Sequence, residues 1–187
     1  MNKFLLLLGP SAVGKSEIID ELMKLDKRFV YISPYMTRPL RPGERNKVAV
    51  RDEQMDEMWR RGEFFVVNEL YGGIRYGTPR LPIVEALEAG NFPVLDWPID
   101  RLKVMTQAFP GRLFTVYVSP PSIDVLRQRI VKDGRDADGK RLASATEELQ
   151  RFWSSRYVGV YDYEIVSEEG RVAKIAATIY SNYLRSL

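Results

Sequence analysis

Cysteine and histidine are both absent from the 187-residue chain. Without thiols, neither a disulfide framework nor a thiolate metal site can form. Without imidazole, a histidine base, a histidine nucleophile and a histidine-ligated metal drop out as well. Any catalysis rests on Lys, Arg, carboxylates, hydroxyls and a hydrated metal ion. Phosphoryl transfer can work with that set, because it is mainly positioning and charge neutralisation. Long apolar runs are missing too. Phe4-Leu5-Leu6-Leu7-Leu8 runs straight into a glycine turn, too short for a membrane span and without a signal peptide's cleavage region. A cytoplasmic location is therefore expected. The net charge is only +3 and no block of like charges stands out, so neither a nucleic-acid nor a membrane partner is expected, whereas small anionic ligands suit the balance. No repeat, low-complexity stretch or linker divides the chain. Hydrophobic residues at 45% and charged residues at 28% describe an ordinary globular domain with enough chain for a full core.

What the chain does have stands at its start. Gly9-Pro10-Ser11-Ala12-Val13-Gly14-Lys15-Ser16 spells G-x-x-x-x-G-K-S. The apolar run before it is the length of a buried strand. The segment after it carries Ile18, Ile19, Leu22 and Met23 at helical spacing, with Glu17, Asp20, Glu21 and Lys24 on the other side. Strand, glycine turn and helix N-terminus are the setting that a phosphate-binding loop needs. Glycines let backbone N–H groups close around a polyphosphate, and the helix dipole favours its charge. Lys15 is expected to reach the terminal phosphates and Ser16 to offer its hydroxyl to Mg²⁺, with ATP as co-substrate.

Further along, short apolar runs alternate with helical patterns, which predicts a mainly parallel sheet flanked by helices. Strands are expected at 29–32, 92–96, 113–118 and 163–166. A helix capped by Ser122 is expected to run to Lys132, a long one from Arg141 to Arg156, and a closing one from Val172 to Leu184. Residues 34–91 and the polar turn 132–140 fall outside that count. In kinases of small phosphorylated acceptors, such insertions bind the acceptor and close as a lid. Trp97, behind Asp96 at a strand's C-terminal end, is the tryptophan best placed to stack on a base. Tyr71-Gly72-Gly73 reads as a hairpin turn, and Glu147 and Glu148 as a solvated helix face.

The second strand is followed by Thr37-Arg38-Pro39-Leu40-Arg41-Pro42-Gly43-Glu44. Two arginines beside rigid prolines form a preset cationic cluster suited to bidentate phosphate recognition. With the phosphate loop upstream, the sequence resembles the guanylate kinase family over nearly its whole length. The resemblance is carried by both motifs together with Gly62-Glu63-Phe64, Tyr76-Gly77-Thr78, Leu95-Asp96, Ser119-Pro120-Pro121-Ser122, Lys140-Arg141-Leu142 and Tyr161-Asp162-Tyr163. It implies an α/β P-loop fold: a three-layer parallel-sheet core (1–33, 92–131 and 141–187), an acceptor-binding region (34–91) and a lid (132–140). It implies transfer of the terminal phosphate of ATP to GMP with magnesium. Arg38 and Arg41, helped by Tyr76, are then expected to hold the acceptor phosphate, with Thr78 near the base. Asp96 stands where the family has an acidic residue near the metal, reached through water. Arg129, Arg135 and Arg141 resemble the helix and lid arginines around the transferred group, with Arg135 out of register.

The chain also departs from the family's pattern. Lys47, Val50 and Asp52 replace a glycine, a phosphate-binding tyrosine and an aromatic. Pro34 stands where a serine faces guanine, Val66 and Val67 lie near the guanine-reading glutamate, and Pro98 replaces the second aspartate of L-D-x-D. Valine and proline side chains accept no hydrogen bond from guanine. GMP or dGMP is the default acceptor, with weakened guanine selectivity unless Glu69 or Asp100 restores an acceptor. Two other readings stay open: a kinase of a phosphorylated sugar, such as a ribose bisphosphate kinase, and a non-catalytic module that binds phosphopeptides through the same arginines.

Overall fold

All five side chains of β1 (Phe4–Leu8) are fully buried. Successive strand residues point to opposite faces, so Phe4, Leu6 and Leu8 enter one core and Leu5 and Leu7 another. A strand apolar on both faces belongs in the middle of a parallel sheet covered by helices. In the computed structural model, which describes residues 2–40, 44, 46–69, 73–134, 136, 138–154 and 159–187, that is where it lies. It pairs in parallel with β7 (Phe92–Asp96) and with β8 (Leu113–Ser119). With β2 (Phe29–Tyr31) and β9 (Tyr163–Val166) at the edges, the order is β2-β7-β1-β8-β9, all parallel.

Helices close both faces. On one side, Leu5 and Leu7 meet Ile18 and Leu22 of α1 (Lys15–Leu25) and Ile175 and Ile179 of α7 (Val172–Ser186). Tyr183 is fully buried there, and its hydroxyl donates to the Lys3 carbonyl at 2.6 Å. On the other side, Phe4, Leu6 and Leu8 meet Ile83 of α3 (Leu81–Glu88), Met105 of α4 (Leu102–Ala108) and Phe152 of α6 (Lys140–Trp153). The ring of Phe152 stacks on Tyr117 with centroids 3.9 Å apart. Between α5 (Ile123–Asp133) and α6, a third cluster joins Leu126 and Ile130 to Ala145 and Leu149. The Ser122 hydroxyl accepts from the Val125 N–H at 3.2 Å and caps α5, as its position predicts.

The five parallel strands match those expected, with ends differing by a residue. The long helix begins at Lys140, one residue early, and ends at Trp153; its expected end at Arg156 lies outside the described residues, as does most of Tyr71-Gly72-Gly73. A second sheet lies within residues 34–91; of it, the sequence announced only the hairpin turn between its two longer strands. β3 (Tyr35–Met36), β4 (Val48–Ala49), β5 (Phe64–Glu69) and β6 (Arg75–Pro79) lie in the order β4-β3-β6-β5. Only the β3–β4 pair is parallel. Two of these strands are two residues long, too short for hydrophobic alternation to register. α2 (Asp52–Arg60) is tied to this sheet where Arg75 of β6 pairs with Asp56 at 2.6 Å.

Trp97 does not offer its face to a ligand. It is 3% exposed and packs with Leu95, Ile99 and Leu102 in the second core, because the chain turns inward after Asp96 and the Trp97 N–H donates to the Leu7 carbonyl at 2.9 Å. Glu148 likewise departs from the solvated face expected of it. It falls on the Ala145, Leu149 and Phe152 stripe of α6, whereas Glu147 is exposed and pairs with Arg151 at 2.8 Å.

Gly9, at the end of β1, has φ +126°, and a Cβ there would stand 2.3 Å from the Val118 carbonyl oxygen. Backbone cannot swing aside as a side chain can. Gly9→Ala is therefore expected to lower the unfolding free energy by about 3 kcal/mol or more, read by denaturant unfolding of the ligand-free protein. A loss under about 1 kcal/mol would show that the loop relaxes around the added methyl.

Candidate active site

The loop between β1 and α1 is built on that close approach. Past Gly9 the chain passes through Ala12 at φ 63° and Gly14 at φ 99°, and α1 starts at Lys15 with its first-turn N–H groups facing the loop. Such an array favours phosphate. Lys15 Nζ folds back and donates to the Gly9 and Pro10 carbonyls at 2.5 and 2.8 Å. Burial lowers the pKa of the ammonium; Asp96 and then Glu148 oppose the shift, and Lys47 adds to it. Asp96 ends β7 and accepts from the Tyr31 hydroxyl at 3.1 Å. The Tyr31 phenol is pushed up, first by burial and then by the Asp96 charge. Glu148 accepts from the Tyr117 hydroxyl at 3.3 Å, and burial raises its pKa against the pull of Lys15.

Arginines gather around this loop from three directions. Arg38, just past β3, forms a fork with Glu44, Nη1 and Nη2 each donating at 2.7 Å, and Nη1 also donates to the Pro39 carbonyl at 2.8 Å. Those bonds to Glu44 lead the causes that raise its pKa, so it stays charged at any working pH. Arg129 on α5 donates to the Ser167 hydroxyl at 3.2 Å and to its carbonyl at 2.7 Å. Arg141 on α6 pairs with Asp133 at 2.7 Å and donates to the Ser11 hydroxyl of the loop at 2.9 Å. Its backbone N–H and that of Leu142 donate to the Asp136 carboxylate, which caps α6 behind Gly139.

A single cleft of about 710 Å³ is lined by Ser11, Ala12, Val13, Gly14, Lys15 and Ser16 on one side and by Arg38, Tyr76, Asp96, Arg129 and Arg141 on the others. Most of the residues expected to act together thus share one cavity. Gly9 and Pro10 lie behind the loop and serve through their carbonyls. Thr78 is 4% exposed on β6, Glu69 is exposed at the end of β5, and Asp100 pairs with Arg151 at 3.0 Å. None of these three lines the cleft. Arg41 and Arg135 lie outside the described residues. Sequence reasoning missed Tyr31, Ser167 and the inward side of Glu148. Only Glu148 left a signal, its place on the apolar spacing of α6.

Comparison with known proteins follows the same lines. The model of the family described as guanylate kinase matches residues 1–179. A guanylate kinase of Desulfitobacterium hafniense (strain Y51) is 33% identical over 171 residues, covering 88% of this chain and 82% of that protein. One from Symbiobacterium thermophilum is 34% identical, covering 98% of this chain and 87% of its own. Among solved structures, the guanylate kinase from Anaplasma phagocytophilum superimposes with a TM-score of 0.76 at 21% identity, over 98% of this chain and 85% of that one. A shikimate kinase from Acinetobacter baumannii shares the fold more loosely, with a TM-score of 0.54 at 16% identity, over 99% of this chain and 94% of its own.

Removing the Lys15 charge tests the loop. Lys15→Met is expected to lower turnover on the order of a hundredfold or more without lowering the unfolding midpoint, since burial of that charge opposes folding. The sign follows from the depressed pKa: the unfolded chain holds the proton more tightly. Any stability advantage of the variant at neutral pH should shrink as pH climbs toward 10.5, the ordinary lysine value. Undiminished turnover in the folded variant would rule out Lys15 as the charge-stabilising group.

Proposed function

The chain belongs to the guanylate kinase family of nucleoside monophosphate kinases, and on that premise we propose that it transfers the terminal phosphoryl group of ATP to GMP. The observation that carries this reading is the one cleft that holds Lys15 and Ser16 of the loop together with Arg38, Tyr76 and Asp96. In the reaction, the bond between the γ-phosphorus and its bridging oxygen breaks, and an oxygen of the acceptor phosphate bonds to that phosphorus. ADP and GDP leave. No general base is required, because the attacking phosphate is already an anion.

The loop N–H groups cradle the donor's phosphates, and the Lys15 ammonium exchanges its loop carbonyls for phosphate oxygens. Arg38 and Tyr76 hold the acceptor phosphate. Arg129 and Arg141 steady the charge spread over the phosphoryl group in flight, each already anchored beside the loop. Ser16 and Asp96 both line the cleft and offer hard oxygen donors, a set that suits a hydrated Mg²⁺ held chiefly by nucleotide phosphates. No group of three or more His, Cys, Asp or Glu side chains forms a metal cage among the described residues. When bound, the ion would neutralise charge on the donor's phosphates. Acceptor contacts are assigned to Arg38 and Tyr76, since Thr78, Glu69 and Asp100 lie outside the cleft lining. No helix among the described residues is long and apolar enough to cross a membrane, and a cytoplasmic site, where ATP is plentiful, belongs to the proposal.

The relatives described above are guanylate kinases. They lend no support to a sugar-phosphate kinase, to a phosphopeptide-binding module or to loosened base preference. With ATP fixed, kcat/KM is expected to be highest for GMP or dGMP among GMP, dGMP, AMP, UMP, CMP, dTMP and sugar phosphates. A sugar phosphate as the best acceptor, or no ADP release with any of them, would overturn the reading.

Arg38 supplies a second test. Arg38→Ala is expected to raise the KM for GMP by roughly ten- to a hundredfold, the worth of a charge-assisted fork. The KM for ATP should stay within about twofold, because the loop holds ATP by other groups. A rise in the ATP term alone would move Arg38 to the donor side.

A further inference from the structure

The cations of the cleft are not equally provided for. Arg38 is matched by Glu44, Arg141 by Asp133, Arg129 by the oxygens of Ser167, and Lys15 by two loop carbonyls. Lys47 lines the same cleft, half-buried just before β4. Its ammonium stands 5.7 Å from the centroid of the Tyr76 ring. Among the described residues no carboxylate lies within ion-pair distance of it. It is also close enough to Lys15 for the two charges to repel, which contributes to the depressed pKa of Lys15. Two ammonium groups facing one half-buried cavity are unfavourable until an anion stands between them.

The neighbours of Lys47 point to which anion that is. The Lys47 ammonium lies toward the Tyr76 ring, and the Tyr76 side chain in turn interacts with Arg38, so that lysine, tyrosine and arginine share one part of the cleft lining. At Val50, where the resembled family carries a phosphate-binding tyrosine, this chain has no side-chain donor, and Lys47 brings one from the same short segment.

We propose that Lys47 is a phosphate-binding residue of the acceptor site, pairing with the acceptor's phosphate dianion alongside Arg38 and Tyr76. The inference rests on the phosphoryl-transfer reading above and adds a residue to it. A compact ammonium acts as a point charge and, unlike a tyrosine hydroxyl, draws its strength from the full charge of the phosphate. Lys47 therefore favours phosphorylated acceptors over their nucleosides and makes acceptor binding weaken with salt.

Lys47→Met removes the charge and keeps an apolar stem on Tyr76; Lys47→Arg restores a charge, and Lys47→Gln serves if the Met variant does not fold. Lys47→Met is expected to raise the KM for GMP by about tenfold, the worth of one charge-assisted hydrogen bond, with the KM for ATP and inhibition by guanosine unchanged. Lys47→Arg should recover most of the loss, and the salt dependence of the GMP term should flatten in the Met variant. Calorimetry with inorganic phosphate, with ADP and Mg²⁺ filling the donor site, reads the same contact without reference to the base. If wild type binds phosphate there and Lys47→Met does not, while GMP is never phosphorylated, the choice of acceptor fails and the role of Lys47 stands. If GMP is turned over and the variant's GMP and phosphate affinities stay within about twofold of wild type, Lys47 is a solvated side chain resting on Tyr76 and the proposal is overturned. Equal losses for GMP and guanosine would overturn it too, since they would mark a contact with the nucleoside.

Discussion

The placement of the loop and its cleft depends on one missing β-carbon. Because Gly9 has none, the end of β1 lies directly against the Val118 carbonyl of β8, and the chain can turn at once into the loop and α1. That fixes where the helix N-terminus points and lets Lys15 double back onto Gly9 and Pro10. The parallel sheet supplies the rest at the same edge. Asp96 ends β7, and Ser167, just past β9, donates its backbone N–H to the Ser119 carbonyl at the end of β8. Carboxyl ends of parallel strands are where open α/β sheets gather ligands, since chain reversals there leave a crevice. The site is thus a by-product of sheet direction and one close backbone contact.

Electrostatics then shape what the crevice admits. Arg38, Arg141 and Arg129 are held by internal oxygens before any substrate arrives, which fixes their planes and spares part of the entropy of ordering long side chains. The cost is exchange: on the proposed function, an entering phosphate would have to share or replace groups that already satisfy these donors. Arg38 shows the compromise most plainly. Its fork is spent on Glu44, yet its Nε is buried with no hydrogen-bond partner among the described residues. A buried donor without a partner is unfavourable by itself, and an acceptor phosphate is the kind of group that relieves it.

Much of this was legible in the sequence, and the limits of legibility are physical. The loop could be read because its glycines, lysine and serine stand in a fixed spacing between an apolar strand and a helix start, with glycine at the positive-φ positions 9 and 14. The core strands could be read because burial on both faces leaves an unbroken apolar run, as in Phe4–Leu8. The second sheet could not, since Tyr35–Met36 and Val48–Ala49 are too short to carry a period. Trp97 misled because its position after Asp96 says where the backbone goes and not which way the ring turns. Glu148 misled for the opposite reason: its charge suggested solvent, whereas its spacing with Ala145, Leu149 and Phe152 placed it inward. Tyr31 and Ser167 gave no sign, because their roles arise only when β2 meets β7 and the chain after β9 reaches the loop.

Ser167 carries a consequence beyond its bonds to Arg129. A Cβ added at Gly14 would lie 3.3 Å from the Ser167 hydroxyl, so the two positions draw on one small volume, although the chain between them spans most of its length. A side chain at 14 is opposed first by the φ of +99° and then by the nearby residue 167, and the hydrogen-bonding reach of Arg129 is set by what 167 can offer. Among descendants of this sequence the three sites should drift as a unit: a bulkier group at 167 would have to come with a rearranged helix start and a different anchor for the arginine. Such a linkage would be invisible in any single chain's motifs, yet it would mark which substitutions this fold can accept only in company.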